Sequence, residues 1–220
     1  MTLTEENYIK AIYHLGKQGS QSVSTNALAE SMHTKASSAT DMIKKLSEKE
    51  LVNYVKYQGV SLTDNGQLVA KNIIRKHRLW EVFLVEKLNF SWDEVHDVAE
   101  QLEHIKSEKL IDELDAFLNY PKYDPHGDPI PDKNGNFNSI DKIVLASADT
   151  KTRYKCVGVK DTSTKFLRYL DTNNIALGTL IEVLYKEPFD NSLKLKYNDT
   201  EITVSQHVSK NIYVTKKNSL

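Results

Sequence analysis

Apolar residues recur at helical spacing three times within the first fifty positions and then alternate with polar residues, as they do in strands. Thr4 is placed to cap the first helix, and Ser24 precedes the second. The predicted elements are helices at about 4–17, 25–31 and 35–49, followed by strands at 51–57 and 60–63. This order predicts a winged helix-turn-helix over residues 1–63.

Residues 64–140 predict a second, helical domain. One long helix is expected from Thr63 or Asp64 through Leu88. The sequence Ser91-Trp92-Asp93-Glu94 has the form of a capping box, and the helix it opens is expected to reach about Leu118. The following stretch, 120–138, is rich in Pro, Gly, Asp and Asn and predicts an ordered loop.

The pattern changes again near Ala148, where short alternating segments begin. They predict a small β-barrel over residues 148–220. The fold class expected for the whole chain is therefore mainly α with a small β part.

Charge is distributed unevenly, although the net charge is only -1. Residues 1–63 carry +1, residues 64–140 carry -6, and residues 141–220 carry +4. A uniformly basic coat is absent, so DNA binding would have to use local patches. There is one cysteine, no apolar run of about 18 residues and no secretory leader pattern at the N-terminus, so we expect a cytoplasmic protein without a membrane segment.

Histidine and glutamate stand four apart on the predicted middle helices, where they project from the same helix face. The pairs are His77 and Glu81, His96 and Glu100, and Glu100 and His104, with Glu103 beside the last. A single pair of this kind usually lies on a solvent-exposed helix face. Three pairs within 28 residues instead favour a site that binds a divalent metal ion. Oxygen and nitrogen donors without a thiolate suit Mn²⁺ or Fe²⁺ better than a structural zinc.

Several segments together resemble the diphtheria-toxin-repressor family, in the family's order and spacing. They are Glu6–Tyr13, Arg75–Glu81, Trp92–His96, Glu100–His104, Asp124–Pro131 and, in the barrel, Ala176–Val183. The resemblance implies a homodimer that binds a pseudo-palindromic operator in double-stranded DNA when Mn²⁺ or Fe²⁺ is plentiful and represses metal-uptake genes. It also implies that the C-terminal domain is SH3-like.

Two overlapping ligand layouts follow from this resemblance, and both stay open here. In one, Asn7, Glu100, Glu103 and His104 hold a first metal, and His77, Glu81 and His96 hold a second. In streptococcal-type manganese regulators, ligands also come from positions that correspond to Asp124, His126 and Asp161. Glu100 stands where iron-responsive members have cysteine, which favours manganese, and Asp124 likewise replaces a cysteine. Asn7 stands where relatives usually have Asp or Met.

The helix that opens at Lys35 is the expected recognition helix, because the second helix of the motif enters the major groove. Candidate phosphate contacts lie on its polar face, together with candidate base contacts and a wing tyrosine. The candidate DNA-binding residues are Lys35, Ser37, Ser38, Thr40, Asp41, Lys44, Lys45 and Tyr57. No arginine precedes Arg75, so we expect modest base contacts combined with recognition of DNA shape.

Other function classes fit the sequence less well. A di-metal carboxylate enzyme would carry Glu-x-x-His twice, and in the predicted middle domain no glutamate stands three residues before a histidine. A winged-helix regulator that senses an organic ligand would need an apolar pocket in the middle domain. A peptide-binding role for the barrel would rest on fold likeness alone.

Overall fold

The computed structural model describes residues 1–56, 58–138, 140–198 and 200–217. The chain divides into two compact units. The first unit comprises Met1–Trp80, Ala99–Phe117 and Ile130–Phe137. The second comprises Glu81–Val98, Leu118–Pro129 and Asn138–Leu220.

The first unit begins with the predicted helix-turn-helix order. Its elements are α1 (Leu3–Leu15), α2 (Thr25–Ser31), α3 (Ala36–Glu48), β1 (Val52–Val55) and β2 (Gly59–Leu62). The predicted cap of α1 was wrong. Thr2, not Thr4, accepts a hydrogen bond from the Glu5 amide, and the Glu5 carboxylate accepts one from the Thr2 amide. This reciprocal pair satisfies two amides that the helix start leaves open.

The core of the first unit is formed by the inward faces of α1 and α3 and by the hairpin. Ile9, Ile43 and Leu46 are fully buried, and Val60 of β2 packs in the same cluster. Ala39, Ile43 and Leu46 recur at spacings of four and three along α3, so its opposite face is left to solvent.

The wing is an antiparallel hairpin in which Val52 pairs with Leu62 and Val55 pairs with Gly59. Val23 adds an isolated bridge to Val60, with both backbone hydrogen bonds at 2.8 Å. Gly59 has φ +97, and a Cβ there would lie 2.5 Å from the Val23 carbonyl oxygen. Only glycine therefore fits at this turn.

The prediction of a single helix from Ser91 to about Leu118 was wrong, because the structure has two helices there. After α4 (Asp64–Leu88), the structure has α5 (Val95–Leu102) and α6 (Glu108–Phe117). The chain turns tightly after Leu102, whose carbonyl accepts from the Ile105 amide, and the Ser107 hydroxyl then accepts from the Leu110 amide. Ser107 therefore acts as a new helix cap.

The second unit contains the predicted small β domain. Six antiparallel strands are arranged in the order β3-β8-β4-β5-β6-β7. They are β3 (Ile143–Val144), β4 (Thr152–Val159), β5 (Leu180–Lys186), β6 (Leu193–Tyr197), β7 (Thr200–Val204) and β8 (Ile212–Lys216). The sequence reading missed two helices here, α7 (Thr164–Thr172) and α8 (Gln206–Lys210).

The core of this domain includes Cys156, which is 1% exposed. Burial raises the pKa of its thiol to about 11, so the sulfur stays protonated and packs as an apolar group. Within the described ranges, no helix combines the length and the apolar character that a membrane crossing requires.

Candidate metal centres

Seven polar side chains meet inside the first unit, on α1, on α4 and around the end of α5. We call them the first cluster. Its members are Glu6, Asn7, Lys10, His77, Glu100, Glu103 and His104. Ligand atoms of His77, Glu100 and Glu103 all lie within 4.8 Å of one another.

Glu103 is at the centre of the first cluster, and its side chain is fully buried. Its Oε2 lies 2.7 Å from His77 Nδ1 and 2.6 Å from Lys10 Nζ. Its Oε1 lies 3.9 Å from His104 Nε2. Because α5 ends at Leu102, the turn that follows carries Glu103 and His104 into this interior position.

Two members of the first cluster were missed by sequence reasoning. Glu6 Oε2 lies 2.6 Å from His104 Nδ1, and Lys10 binds both Glu100 and Glu103 at 2.6 Å. Glu6 and Lys10 are four apart on α1, and Asn7 is three before Lys10, so all three share one helix face. That spacing is the signal that could have found them.

Two oxygens in the first cluster are buried without a hydrogen-bond partner among the described residues. They are Asn7 Oδ1 and Glu103 Oε1. Leaving a buried acceptor unsatisfied costs about 1–3 kcal/mol, more when it is charged. A cation bound between them would satisfy both, so this donor set fits a metal ion that prefers oxygen and imidazole ligands.

A second cluster lies within the second unit and consists of Glu81, His96, Asp124 and His126. Ligand atoms of Glu81, Asp124 and His126 lie within 4.8 Å of one another, and all three residues are buried. Glu81 Oε2 is 3.8 Å from His126 Nδ1, and its Oε1 is 3.6 Å from His96 Nδ1. This hard donor set also fits a divalent cation.

The loop from Asp124 to Asp128 presents Asp124 and His126. Asp124 Oδ1 accepts from the amides of His126 and Asp128, which fixes a compact turn. His126 Nε2 donates to the Trp92 carbonyl at 2.7 Å, and the two rings stack at a centroid distance of 6.3 Å. The donation to Trp92 leaves Nδ1 of His126 directed at the carboxylates.

Burial disfavours the charged form of His126, but the Glu81 and Asp124 carboxylates and the Trp92 carbonyl outweigh it and raise its pKa to about 9. In the metal-free protein, the imidazolium therefore neutralises part of the charge of this cluster.

This pKa makes the stability of the metal-free protein depend on pH. The folded-state pKa lies above the ordinary value of 6.5, so the stabilisation by His126 is complete below pH 6.5 and is lost as the pH rises through 9. We expect His126→Asn to remove up to about 3 kcal/mol of this pH-dependent stability. Denaturant unfolding of chelator-treated protein at pH 6 and pH 9.5 measures it.

The matched control for this measurement is His207→Asn, which changes an exposed histidine of α8 in the same unit. It should keep the wild-type slope of stability against pH. A slope that His126→Asn leaves unchanged would contradict the assignment of the effect to His126.

Within each unit, the contacts of the predicted ligands can be followed residue by residue. His77 Nδ1 contacts Glu103 in the first cluster, whereas Glu81 contacts both His96 and His126 in the second. Among the described residues, Asp161 belongs to neither cluster, and its Oδ1 accepts from the Ser163 amide.

The candidate DNA-binding face is the outer side of α3. Of the predicted contacts on and before α3, all are exposed except Thr40, which is half-buried and donates its hydroxyl to the Ala36 carbonyl. Lys44 lies 3.7 Å from Asp41 in an exposed pair, which is worth little in water. Tyr57, the predicted wing contact, lies outside the described residues.

Family models match three consecutive parts of the chain. Residues 1–60 match the iron-dependent repressor N-terminal DNA-binding domain, and residues 63–132 match the iron-dependent repressor metal-binding and dimerisation domain. Residues 143–216 match the FeoA domain. These matches define the class as DNA-binding transcriptional repressors.

Individual relatives agree with these models. A solved structure described as a manganese-dependent transcriptional repressor in complex with manganese is 34% identical, with a TM-score of 0.82 and coverage of 97% of this chain and 100% of that one. The regulator MntR of Oceanobacillus iheyensis is 35% identical over 56% of this chain and 82% of its own length. An uncharacterised HTH-type regulator of Methanocaldococcus jannaschii is 35% identical over 54% of this chain and 94% of its own length. The chain belongs to the diphtheria-toxin-repressor family of iron-dependent repressors.

Proposed function

We propose that this protein is a homodimeric repressor, activated by manganese or iron(II), that acts in the cytoplasm on a pseudo-palindromic operator and controls metal-uptake genes. The observation that carries this proposal is the first cluster. It combines buried carboxylates, imidazoles and two unpartnered oxygens, Asn7 Oδ1 and Glu103 Oε1, between α1 and the end of α5.

The donors favour manganese over softer metals. In the first cluster, Asn7, Glu100, Glu103 and His104 would hold one ion, with His77 at its edge. In the second cluster, Glu81, Asp124 and His126 would hold another, with His96 beside Glu81. Both sets lack a thiolate, and carboxylate and carbonyl oxygens suit Mn²⁺.

A bound ion supplies a divalent positive charge that several oxygens share. Asn7 lies on α1, and α1 packs in the same core as the recognition helix α3. Fixing the position of Asn7 relative to Glu100 and Glu103 therefore fixes α1, and with it the orientation of α3, which packs against α1. In a dimer, two such helices would reach successive major grooves about 34 Å apart.

Metal-dependent DNA binding tests the proposal. A duplex selected from a random library in the presence of Mn²⁺ serves as a fluorescent probe, and anisotropy is measured with Mn²⁺ and with EDTA. We expect at least about 30-fold weaker binding in EDTA, equal to roughly 2 kcal/mol of coupling. Equal affinity under both conditions would contradict the proposal.

Self-association is expected to use the outer face of α6. Leu110 and Phe117 are seven apart on this helix, 41% and 60% exposed, and form an apolar stripe on a segment that matches the dimerisation model. We expect Leu110→Asp to weaken the dimer at least about tenfold, or 1.4 kcal/mol, in sedimentation equilibrium.

An aspartate at position 110 lies in the first turn of α6, where acidic residues favour the helix, so local unfolding should not explain a loss of dimer. Phe189→Asp is the matched control, since Phe189 is 93% exposed in the second unit. A Leu110→Asp protein that stays as dimeric as this control would place the interface elsewhere.

The rival classes find less support. A cavity of about 540 Å³ in the first unit is lined mainly by charged and polar residues, including Arg75, Lys76 and Glu108, which does not suit an apolar effector. The family is one of DNA-binding repressors, and we propose a regulator rather than an enzyme.

A further inference from the structure

We propose that Lys10 is an internal cation that occupies the first cluster in the metal-free protein, and that a divalent ion enters this cluster only by displacing it. This inference rests on the proposed function, because it concerns how the same cluster exchanges one cation for another.

The position of the Lys10 ammonium carries the argument. Nζ lies 2.6 Å from Glu100 Oε1, 2.6 Å from Glu103 Oε2 and 3.4 Å from His77 Nδ1. The Lys10 side chain is only 13% exposed and that of Glu103 is fully buried. The neighbouring carboxylates of Glu100 and Glu103 require a counter-charge in this largely buried position. Within the described residues, Lys10 is the cationic side chain that lies between them.

An ammonium and a divalent cation cannot share this position. Lys10 donates its protons to the carboxylate oxygens whose lone pairs an ion would need, and the two positive charges would repel each other. Nζ is surrounded by His77, Glu100 and Glu103. These are also the residues whose ligand atoms lie together as one possible metal-binding group. Coordination there and the present Lys10 contacts are therefore mutually exclusive.

The structure also provides space for Lys10 to leave. A cavity of about 370 Å³ borders the cluster and is lined by Asn7, Lys10, His33 and Glu100, among others. The lysine stem is flexible, so the ammonium can rotate into this space and reach water. Glu100, whose side chain is 37% exposed, forms the cluster's edge toward the same opening.

Two functional consequences follow. Lys10 compensates the charge of Glu100 and Glu103 when no metal is bound, whereas the link through Asn7 forms only when an ion replaces the ammonium. Lys10 also competes with the metal and thereby raises the free metal concentration at which the cluster fills. The residue thus sets the activation threshold without being a ligand.

The direct test follows the reactivity of Lys10 itself. The full-length protein is briefly acylated with an amine-reactive ester, with and without saturating Mn²⁺, and the modification is mapped by peptide mass spectrometry. We expect Lys10 to react at least fivefold faster when Mn²⁺ is bound. Lys49 is the internal control. Its Nζ lies 2.6 Å from Glu5 Oε1 of α1, and Glu5 is not one of the proposed ligands, so Lys49 should react equally in both states.

A variant provides the second measurement. Lys10→Met keeps the length of the side chain and removes its charge, and Lys49→Met is the matched control. Free Mn²⁺ is followed by electron paramagnetic resonance in a His126→Ala background, so that the first cluster is observed alone. We expect Lys10→Met to bind Mn²⁺ at least tenfold more tightly and, without metal, to melt at a lower temperature than Lys49→Met.

The outcomes separate the two hypotheses. Suppose Mn²⁺ binds the first cluster, but Lys10 reacts within twofold of its metal-free rate and Lys10→Met binds Mn²⁺ within twofold of the protein that keeps Lys10. The exchange is then overturned, while the proposed function stands. If Mn²⁺ binds the first cluster neither in the protein with Lys10 nor in Lys10→Met, the exchange and the proposed function are both overturned.

Discussion

Replacing Glu103 with alanine is expected to abolish manganese binding at the first cluster and, with it, metal-dependent DNA binding. Glu103 is fully buried and contacts Lys10, His77 and His104. Its loss would remove the central anionic group of the proposed site, so we expect metal affinity there to fall by about 100-fold or more, which corresponds to roughly 3 kcal/mol. Isothermal titration with Mn²⁺ measures this directly.

Glu113→Ala is the matched control for this experiment, because Glu113 is an exposed acid on α6 in the same unit. Glu103→Gln provides a second comparison, since it keeps the shape of the side chain and loses the charge. We expect the control to bind as the wild type does and the glutamine variant to fall between the two. Unchanged stoichiometry and affinity in Glu103→Ala would exclude this residue as a ligand.

Gly127→Ala is expected to have the second large effect, this time on the second cluster. Gly127 has φ +85, and a Cβ there would lie 2.1 Å from the Val157 carbonyl oxygen and 2.4 Å from the Gly158 Cα. These are backbone atoms of β4, and Gly158 is held in the sheet by its pairing with Tyr213 of β8. The loop would have to leave the strand, and the bond from the Val159 amide to the His126 carbonyl would be lost.

The matched control is Gly178→Ala, because Gly178 also has a positive φ, +91, but its Cβ would meet only Lys155 Cε at 3.9 Å. Backbone strain alone costs about 1–2 kcal/mol, so the control should lose about that much stability. We expect Gly127→Ala to lose at least about 3 kcal/mol of stability and to weaken manganese binding at the proposed second site. Equal losses in the two variants would show that the loop tolerates a side chain.

The sequence predicted the parts of the sites that depend on local spacing. Glu100, Glu103 and His104 follow helical periodicity, and the structure brings them into one cluster. The pairing of α1 with that cluster depends on contacts between residues far apart in the chain, 90 positions for Lys10 and Glu100 and 98 for Glu6 and His104. Only Asn7 was predicted on α1, and it came from the family resemblance.

The errors in the fold have local causes. Residues 103–107 contain neither Pro nor Gly, and Ile105 follows Leu102 at helical spacing, so the pattern could not show that the Ser107 hydroxyl caps a new helix. The cap of α1 was misplaced because two threonines, Thr2 and Thr4, precede the same apolar stripe, and only Thr2 has Glu5 three residues later. Helix α7 was missed although Phe166, Leu167 and Leu170 are spaced as a helix face, because the surrounding segments favoured strands.

The placement of Asp161 shows a different limit. The family resemblance suggested it as a ligand from the barrel, and that remains a prediction; in the structure its Oδ1 accepts from the Ser163 amide. Aspartate is common in such turns, so the residue type alone does not distinguish a ligand from a turn residue.

The most direct test of the central claim is an anomalous difference map measured at the manganese absorption edge from crystals grown with Mn²⁺. Two peaks are predicted, one contacted by Asn7, Glu100, Glu103 and His104, the other by Glu81, Asp124 and His126, with the Lys10 ammonium moved out of the first cluster. A map without a peak between Asn7 and Glu103, from a protein that still binds its operator in a manganese-dependent manner, would contradict the account.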